Sequence, residues 1–274
     1  MSLRIIAVDW SGDRNPRNAR EKIWLAEAVD GRLARLENGR DRDQVAEHLV
    51  AVAAESSRLI VGLDFAFSLP AWFFEDRGLR NAYELWTLVE AEGEDWLAGC
   101  PPPFWGRHPG PMKRPPLPAH FRRTEESLRG RFRAAGLPGG PTSVFQLVGP
   151  SQVGPGSLRG MRLLRRLHQE RFSVWPFDRP GWPCLVEIYP RLLTGQVVKS
   201  DAMARMTYLG AHYPSLSMEH RLMAASSSDA FDAAISALVM ARHVEELEHL
   251  PAAIDATEKL EGAIWAPQRN WMIG

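Results

Sequence analysis

Two short apolar runs, each ending on an aspartate, constrain the fold of this chain more than any other feature. The first is Leu3-Arg4-Ile5-Ile6-Ala7-Val8-Asp9, followed by Trp10-Ser11-Gly12, and the second is Arg58-Leu-Ile-Val-Gly-Leu-Asp64. Apolar runs of this length, rich in β-branched residues, read as buried strands. A carboxylate at the end of a buried strand is costly to desolvate unless a cation, a metal or several N–H donors face it. Between the two runs lie strand-like stretches at 22–29 and 32–37, joined by Asp30-Gly31, a two-residue hairpin signal. Residues 41–55 follow with a helical period (Val45, Ala46, Leu49, Val52, Ala53) and Asp41 or Asp43 as N-cap.

A helix crossing between two strands of one sheet makes them parallel. Asp9 and Asp64 then share the carboxyl edge of the sheet, where open α/β sheets bind ligands. On neighbouring strands, two such carboxylates must share a proton or a cation. The competing reading is that each aspartate caps the loop or helix after it.

Residues 71–156 read as an insertion in a single domain spanning 1–274. Its start, 71–97, is helical with a break at Gly78, and from Gly99 to Gly156 it is crowded with proline and glycine, as a loop or lid would be. Net charge over the chain is zero, yet the stretch from Arg107 to Arg171 holds thirteen Lys and Arg against three acids, so it carries +10 and the remainder −10. Its cations, Lys113, Arg114, Arg122 and Arg123 among them, alternate with Phe104, Trp105, Phe121, Phe132 and Phe145. Cations interleaved with stacking platforms suit a single-stranded nucleic acid. The alternative is a solvated loop whose aromatics pin it to the body. Gly149-Pro-Ser-Gln-Val-Gly-Pro-Gly156 leads into a helix expected at 157–171 with Ser157 as N-cap. It lacks the Gly-Lys-Ser/Thr ending of a phosphate-binding P-loop.

A third strand is expected at 183–189, stopped by Pro190, with Glu187 inside it facing either the surface or the aspartate edge. Helices are expected at 191–193, 200–212 and 217–225. The stretch 226–242 is a helix that is almost entirely apolar and small beyond Asp232, and so packs deep against the sheet. Asp229 and Asp232 share one face near its start. Ser228 or Asp229 as N-cap with an acid three residues on gives a capping pattern, while the same two acids also suit a metal cradle. The run 260–267 reads as an edge strand or extended tail.

Cys100 and Cys184 have no metal-type spacing and imply no disulfide framework. No apolar run approaches the roughly 20 residues of a membrane span, and the first strand begins too early for a signal peptide. A cytoplasmic protein without a membrane partner is the expectation.

Several motifs together resemble the DUF429 family of predicted nucleases, assigned to the RNase H-like superfamily. They are Val8-Asp9-Trp10-Ser11-Gly12, Ile60-Val-Gly-Leu-Asp64-Phe-Ala-Phe-Ser-Leu-Pro70, Glu187-Ile-Tyr-Pro190, Asp229-Ala-Phe-Asp232-Ala and Glu261-Gly-Ala-Ile-Trp-Ala-Pro267. One departure is visible: the family often reads Asp-x-Pro-Leu where this chain has Asp64-Phe-Ala-Phe. The resemblance implies an α/β fold with a mixed five-stranded sheet of order 3-2-1-4-5, flanked by helices. It implies Asp9, Asp64 and Asp229 or Asp232 as catalytic acids binding Mg²⁺ or Mn²⁺; Glu187 has no fixed counterpart in that set and is read as an auxiliary ligand or orienting residue. The activity so implied is metal-dependent phosphodiester hydrolysis, with nucleic acid held by the basic insertion. An actin-like or sugar-kinase-like phosphotransferase and a non-catalytic binding module of the same fold are the alternatives.

Overall fold

The computed structural model describes residues 3–56, 58–106, 111–149 and 152–267. In chain order the first half holds β1 (Arg4–Asp9), α1 (Pro16–Lys22), β2 (Trp24–Val29), β3 (Arg32–Glu37), α2 (Arg42–Glu55) and β4 (Leu59–Leu63). Then come α3 (Ala71–Arg77), α4 (Ala82–Gly99), α5 (Arg123–Ala134), α6 (Gly154–Gln169), β5 (Ser173–Val174) and β6 (Cys184–Glu187). The chain continues with α7 (Pro190–Thr194), α8 (Ala202–His212), α9 (Met218–Ala225), α10 (Ser228–Arg242), α11 (Val244–Glu248) and α12 (Ala256–Glu261). The mixed sheet has the strand order β3-β2-β1-β4-β6-β5. It therefore has six strands rather than the expected five, because β5, only two residues long, is too short to leave a period in the sequence. The chain divides into two compact units, one of residues 1–64, 180–250 and 265–274, the other of 65–179 and 251–264.

In the first unit, Asp30 and Gly31 take φ of 49° and 77°, the left-handed pair that a two-residue turn between β2 and β3 requires. Asp41 and Gln44 form a reciprocal capping box that starts α2. β1 runs antiparallel to β2 and parallel to β4, and β4 runs parallel to β6. β4 and β6 are buried along their whole length, as strands covered on both faces are. The helix α10 packs against β1, β2, β3 and β4. Gly62 in β4 makes its close approach feasible: a Cβ there would stand 2.6 Å from the Met240 sulfur on α10 and 2.9 Å from Ile188 Cγ2.

The second unit is mostly helical, with α4 against α6 and α12 against α3, α4 and α5. The helix break at Gly78 is a left-handed C-cap with φ of 65°. Neither α5 within the expected loop nor α1 in the first unit is legible in the sequence, because both are strongly polar. The helix expected from Ser157 begins three residues earlier, at Gly154. Ser157 is no cap: its hydroxyl accepts from the Ala66 N–H at 3.0 Å and donates to the Val153 carbonyl at 3.1 Å. Gly154 is pressed against backbone, a Cβ there lying 2.5 Å from the Val144 oxygen, so the glycine-rich turn serves packing. Residues 150 and 151 of that turn lie outside the described residues.

The stretch 260–267 forms no named strand: its first two residues end α12, and the rest runs on as the tail alternative had it, with the Trp265 N–H on the Glu187 carbonyl at 2.8 Å. The buried Glu261 carboxylate accepts from the Ala71 N–H at 2.8 Å and the Arg123 N–H at 2.6 Å. One side chain thus satisfies N–H donors at the start of both α3 and α5; in α5 the Glu125 carboxylate also accepts from the Arg122 N–H at 2.9 Å. Cys100 and Cys184 are free and buried. Among the described residues no helix is long and apolar enough to cross a membrane.

Candidate functional site

The site lies in the first unit and is built from strand ends upward. β1 and β4 pair in parallel with Val8 opposite Leu63, and the Asp64 N–H continues the ladder to the Val8 carbonyl at 3.1 Å. Asp9 and Asp64 therefore occupy the next row, on neighbouring strands that lie roughly 4.8 Å apart. Neither caps a helix: α1 is capped by Asn15, and the next helix after β4 begins at Ala71, behind Pro70. In a pleated sheet, residues two apart share a face, so Asp64 stands on the face of Gly62, against which α10 packs.

α10 brings two further carboxylates to that face. Its N-cap is Ser227, whose hydroxyl accepts from the Ala230 N–H at 3.0 Å. The expected cap at Ser228 or Asp229 is thus displaced by one residue, and Asp229 and Asp232 are both left without a capping role. Asp229 accepts from the Ser228 hydroxyl at 2.9 Å. Asp232, 9% exposed, takes the Lys199 ammonium on Oδ2 at 2.5 Å, while its Oδ1 is buried and has no hydrogen-bond partner.

The electrostatics follow from that crowding. Burial, then the charges of Asp64, Asp232 and Asp229, push the Asp9 carboxyl well above the usual carboxylate range, with Lys199 opposing them. Asp64 is pushed up to about 8, chiefly by burial and then by Asp232, with Lys199 again opposing and Glu187 and Asp229 adding to the rise. Burial raises Asp232 too, against the Lys199 charge and hydrogen bond. Arg191, at the start of α7, also acts on Asp232 and favours its charged form.

Glu187 is buried, but it pairs with Leu63 and so stands one row behind Asp9 and Asp64, on the opposite side of the pleat. It acts on Asp64 through its charge and is not one of the carboxylates gathered on the α10 face. Lys199 is the site residue that sequence reasoning missed. It sits in the segment between α7 and α8, with no motif or period to single it out.

The residues proposed for nucleic acid fare differently. Arg122 is fully buried; it bonds Glu125 through Nε at 3.0 Å and Nη2 at 2.9 Å, and donates from Nη1 to the Glu261 carbonyl. No guanidinium edge is left at the surface for a phosphate. Arg123 forks onto the Asp255 carboxylate at 2.6 and 2.9 Å. Trp105, 7% exposed, packs edge-on against His120 and lies in a cluster with Phe145, itself in contact with Phe104. Trp105 is therefore core and not a stacking platform, as the alternative reading of the loop had it. Elsewhere in the basic stretch, Arg159 and Arg165 pair with Glu94 and Glu90, and Phe121 carries the Arg129 guanidinium at 4.2 Å. Lys113 and Arg114 are exposed, and Arg107 lies outside the described residues.

The site's donors are carboxylate oxygens only, which suits hard divalent cations such as Mg²⁺ or Mn²⁺ and disfavours zinc. The buried Oδ1 of Asp232, without a hydrogen-bond partner, is the observation that fits a cation ligand. As they stand, no three His, Cys, Asp or Glu side chains among the described residues are arranged to hold an ion. A scan against protein-family models, a search of curated proteins and a search of solved structures each find no match to this chain.

Proposed function

We propose that this chain is a divalent-metal-dependent phosphodiester hydrolase of the nuclease type, built on an RNase H-like sheet. The observation that carries the reading is the gathering of Asp9, Asp64, Asp229 and Asp232 on one face at the carboxyl edge of β1 and β4, with one buried oxygen of Asp232 unsatisfied. The mixed sheet of order β3-β2-β1-β4-β6-β5, with β1 antiparallel to β2 and parallel to β4, is an α/β arrangement compatible with the reading, though not specific to it.

Asp9, Asp64 and Asp232 would hold Mg²⁺ or Mn²⁺, with Asp229 a ligand or a partner of metal-bound water. Such ions supply an activated hydroxide and Lewis-acid stabilisation of the leaving oxygen. The protein's own residues orient and preorganise. β1 and β4 hold two carboxylates at a fixed spacing, and α10 delivers two more, of which Asp232 is buried while Asp9, Asp64 and Asp229 are half-buried. Substrate contact by the basic stretch is reduced to its exposed members, Lys113 and Arg114 among them.

The test is Mn²⁺-dependent hydrolysis of bis(p-nitrophenyl) phosphate and of a single-stranded oligonucleotide by Asp9→Asn. Activity is expected to fall by more than the roughly 10–100-fold that outer-shell changes cost. The metal-free variant should still fold, since the change removes a carboxylate from a crowded site. Undiminished cleavage by the variant would overturn the assignment.

A further inference from the structure

Lys199 sits among these acids in a way that the proposed reaction does not by itself require. Its ammonium is on Asp232 Oδ2 at 2.5 Å, with side-chain exposures of 20% and 12% for the lysine and the aspartate. The lysine backbone is held in place. The buried Arg205 guanidinium donates from Nη1 to the Lys199 carbonyl, and through Nε and Nη2 to the Ala225 carbonyl at 3.0 and 2.7 Å. Lys199 is thereby tied to the end of α9, two residues before the Ser227 cap that starts α10.

The charge balance is uneven. The Lys199 charge acts on Asp9, Asp64 and Asp232, so one unit charge serves three carboxylates. Asp232 Oδ1 remains buried without a partner. An ionised carboxylate offers about four acceptor sites, and a buried one normally has them taken up. The Lys199 contact engages one of the two carboxylate oxygens and leaves the other without a partner. A lysine ammonium is a compact point charge on a flexible four-carbon stem, able to withdraw while its backbone stays pinned.

Building on the metal-dependent reading, we propose that Lys199 is a positioning residue that occupies the place of a divalent ion: it holds Asp232 in the metal-free protein and leaves it when the ion enters. Its pinned backbone keeps the released ammonium beside the site, where it can meet a phosphate oxygen. Two predictions separate this from a purely structural role. Removing the charge removes a competitor, so metal binding tightens, whereas loss of a structural prop would misplace Asp232 and weaken it. Metal binding also frees the amine.

The experiment is calorimetric titration of Mn²⁺ into the full chain and into Lys199→Met, which keeps an unbranched stem. The variant is expected to bind Mn²⁺ about tenfold more tightly, a factor equivalent to about 1.4 kcal/mol. Alongside it, amine acetylation of the wild-type chain, mapped by peptide mass spectrometry, is expected to reach Lys199 several-fold faster once Mn²⁺ is added. This second readout does not depend on the variant folding. Binding by both forms with equal or weaker affinity in Lys199→Met, or unchanged labelling of Lys199, overturns the role of the lysine and leaves the hydrolase reading standing. Failure of both forms to bind Mn²⁺ overturns both.

Discussion

Two clusters of charged side chains in this chain behave differently because their signs differ. At Arg122 and Glu125 the charges are opposite and their hydrogen bonds are made, so the pair is a structural tie. Taking away one partner leaves the other buried and alone. Glu125→Ala should therefore cost about 3–5 kcal/mol by denaturant unfolding, the range for a broken buried pair. A loss within about 0.5 kcal/mol would place Arg122 at the surface instead. At Asp64 the charges are alike, and its carboxyl is held at about 8 against an ordinary 3.8. The folded state thus keeps a proton that the unfolded state releases. That contribution to stability is complete below about pH 4 and is lost as pH rises through about 8. The metal-free protein should melt at a lower temperature near pH 9 than near pH 6, and Asp64→Asn should flatten the difference. An equal pH response in both forms would show that Asp64 is not the group responsible. Because a divalent ion displaces the same proton, apparent Mn²⁺ affinity should rise over that window.

The strands and helices that position the site were legible where period and punctuation agree. β1, β4, the Asp30-Gly31 turn and α2 were all readable, since alternation, burial and cap chemistry point the same way in each. α10 was readable as a buried helix from its small apolar residues, but its N-cap was misplaced by one residue because Ser227, Ser228 and Asp229 are all good caps. Local sequence cannot choose among them; the packing of α10 on the sheet does. Lys199 was invisible for a related reason, since it sits between helices and its partner lies 33 residues away on α10. The closeness of α10 to β4 rests on Gly62. Gly62→Ala places a Cβ 2.6 Å from the Met240 sulfur and 2.9 Å from Ile188. Overpacking of this kind costs about 1–3 kcal/mol. It should also weaken Mn²⁺ binding by pushing Asp229 and Asp232 outward, and calorimetry on the folded variant would check this. Unchanged affinity would mean that α10 does not set the site's geometry.

For the chain as a whole, the segregation of charge was real in the sequence and misleading about its use. Much of the positive stretch is consumed inside the second unit, by Glu125, Asp255, Glu94 and Glu90. Those acids lie outside the basic stretch, except for Glu125, so a running count of charge could not show the pairing. Most of the aromatics interleaved with that stretch, Phe104, Trp105, Phe132 and Phe145, are core. What the long-range order of the chain did carry was the meeting of four aspartates from three separate segments. That meeting is what anomalous diffraction at the manganese edge examines, on crystals of the full chain grown or soaked with Mn²⁺. The expected result is a peak bonded to carboxylate oxygens of Asp9, Asp64 and Asp232, with the Lys199 ammonium withdrawn from Asp232. No peak at that edge of the sheet, or a peak bound only elsewhere, would contradict the metal-dependent hydrolase reading.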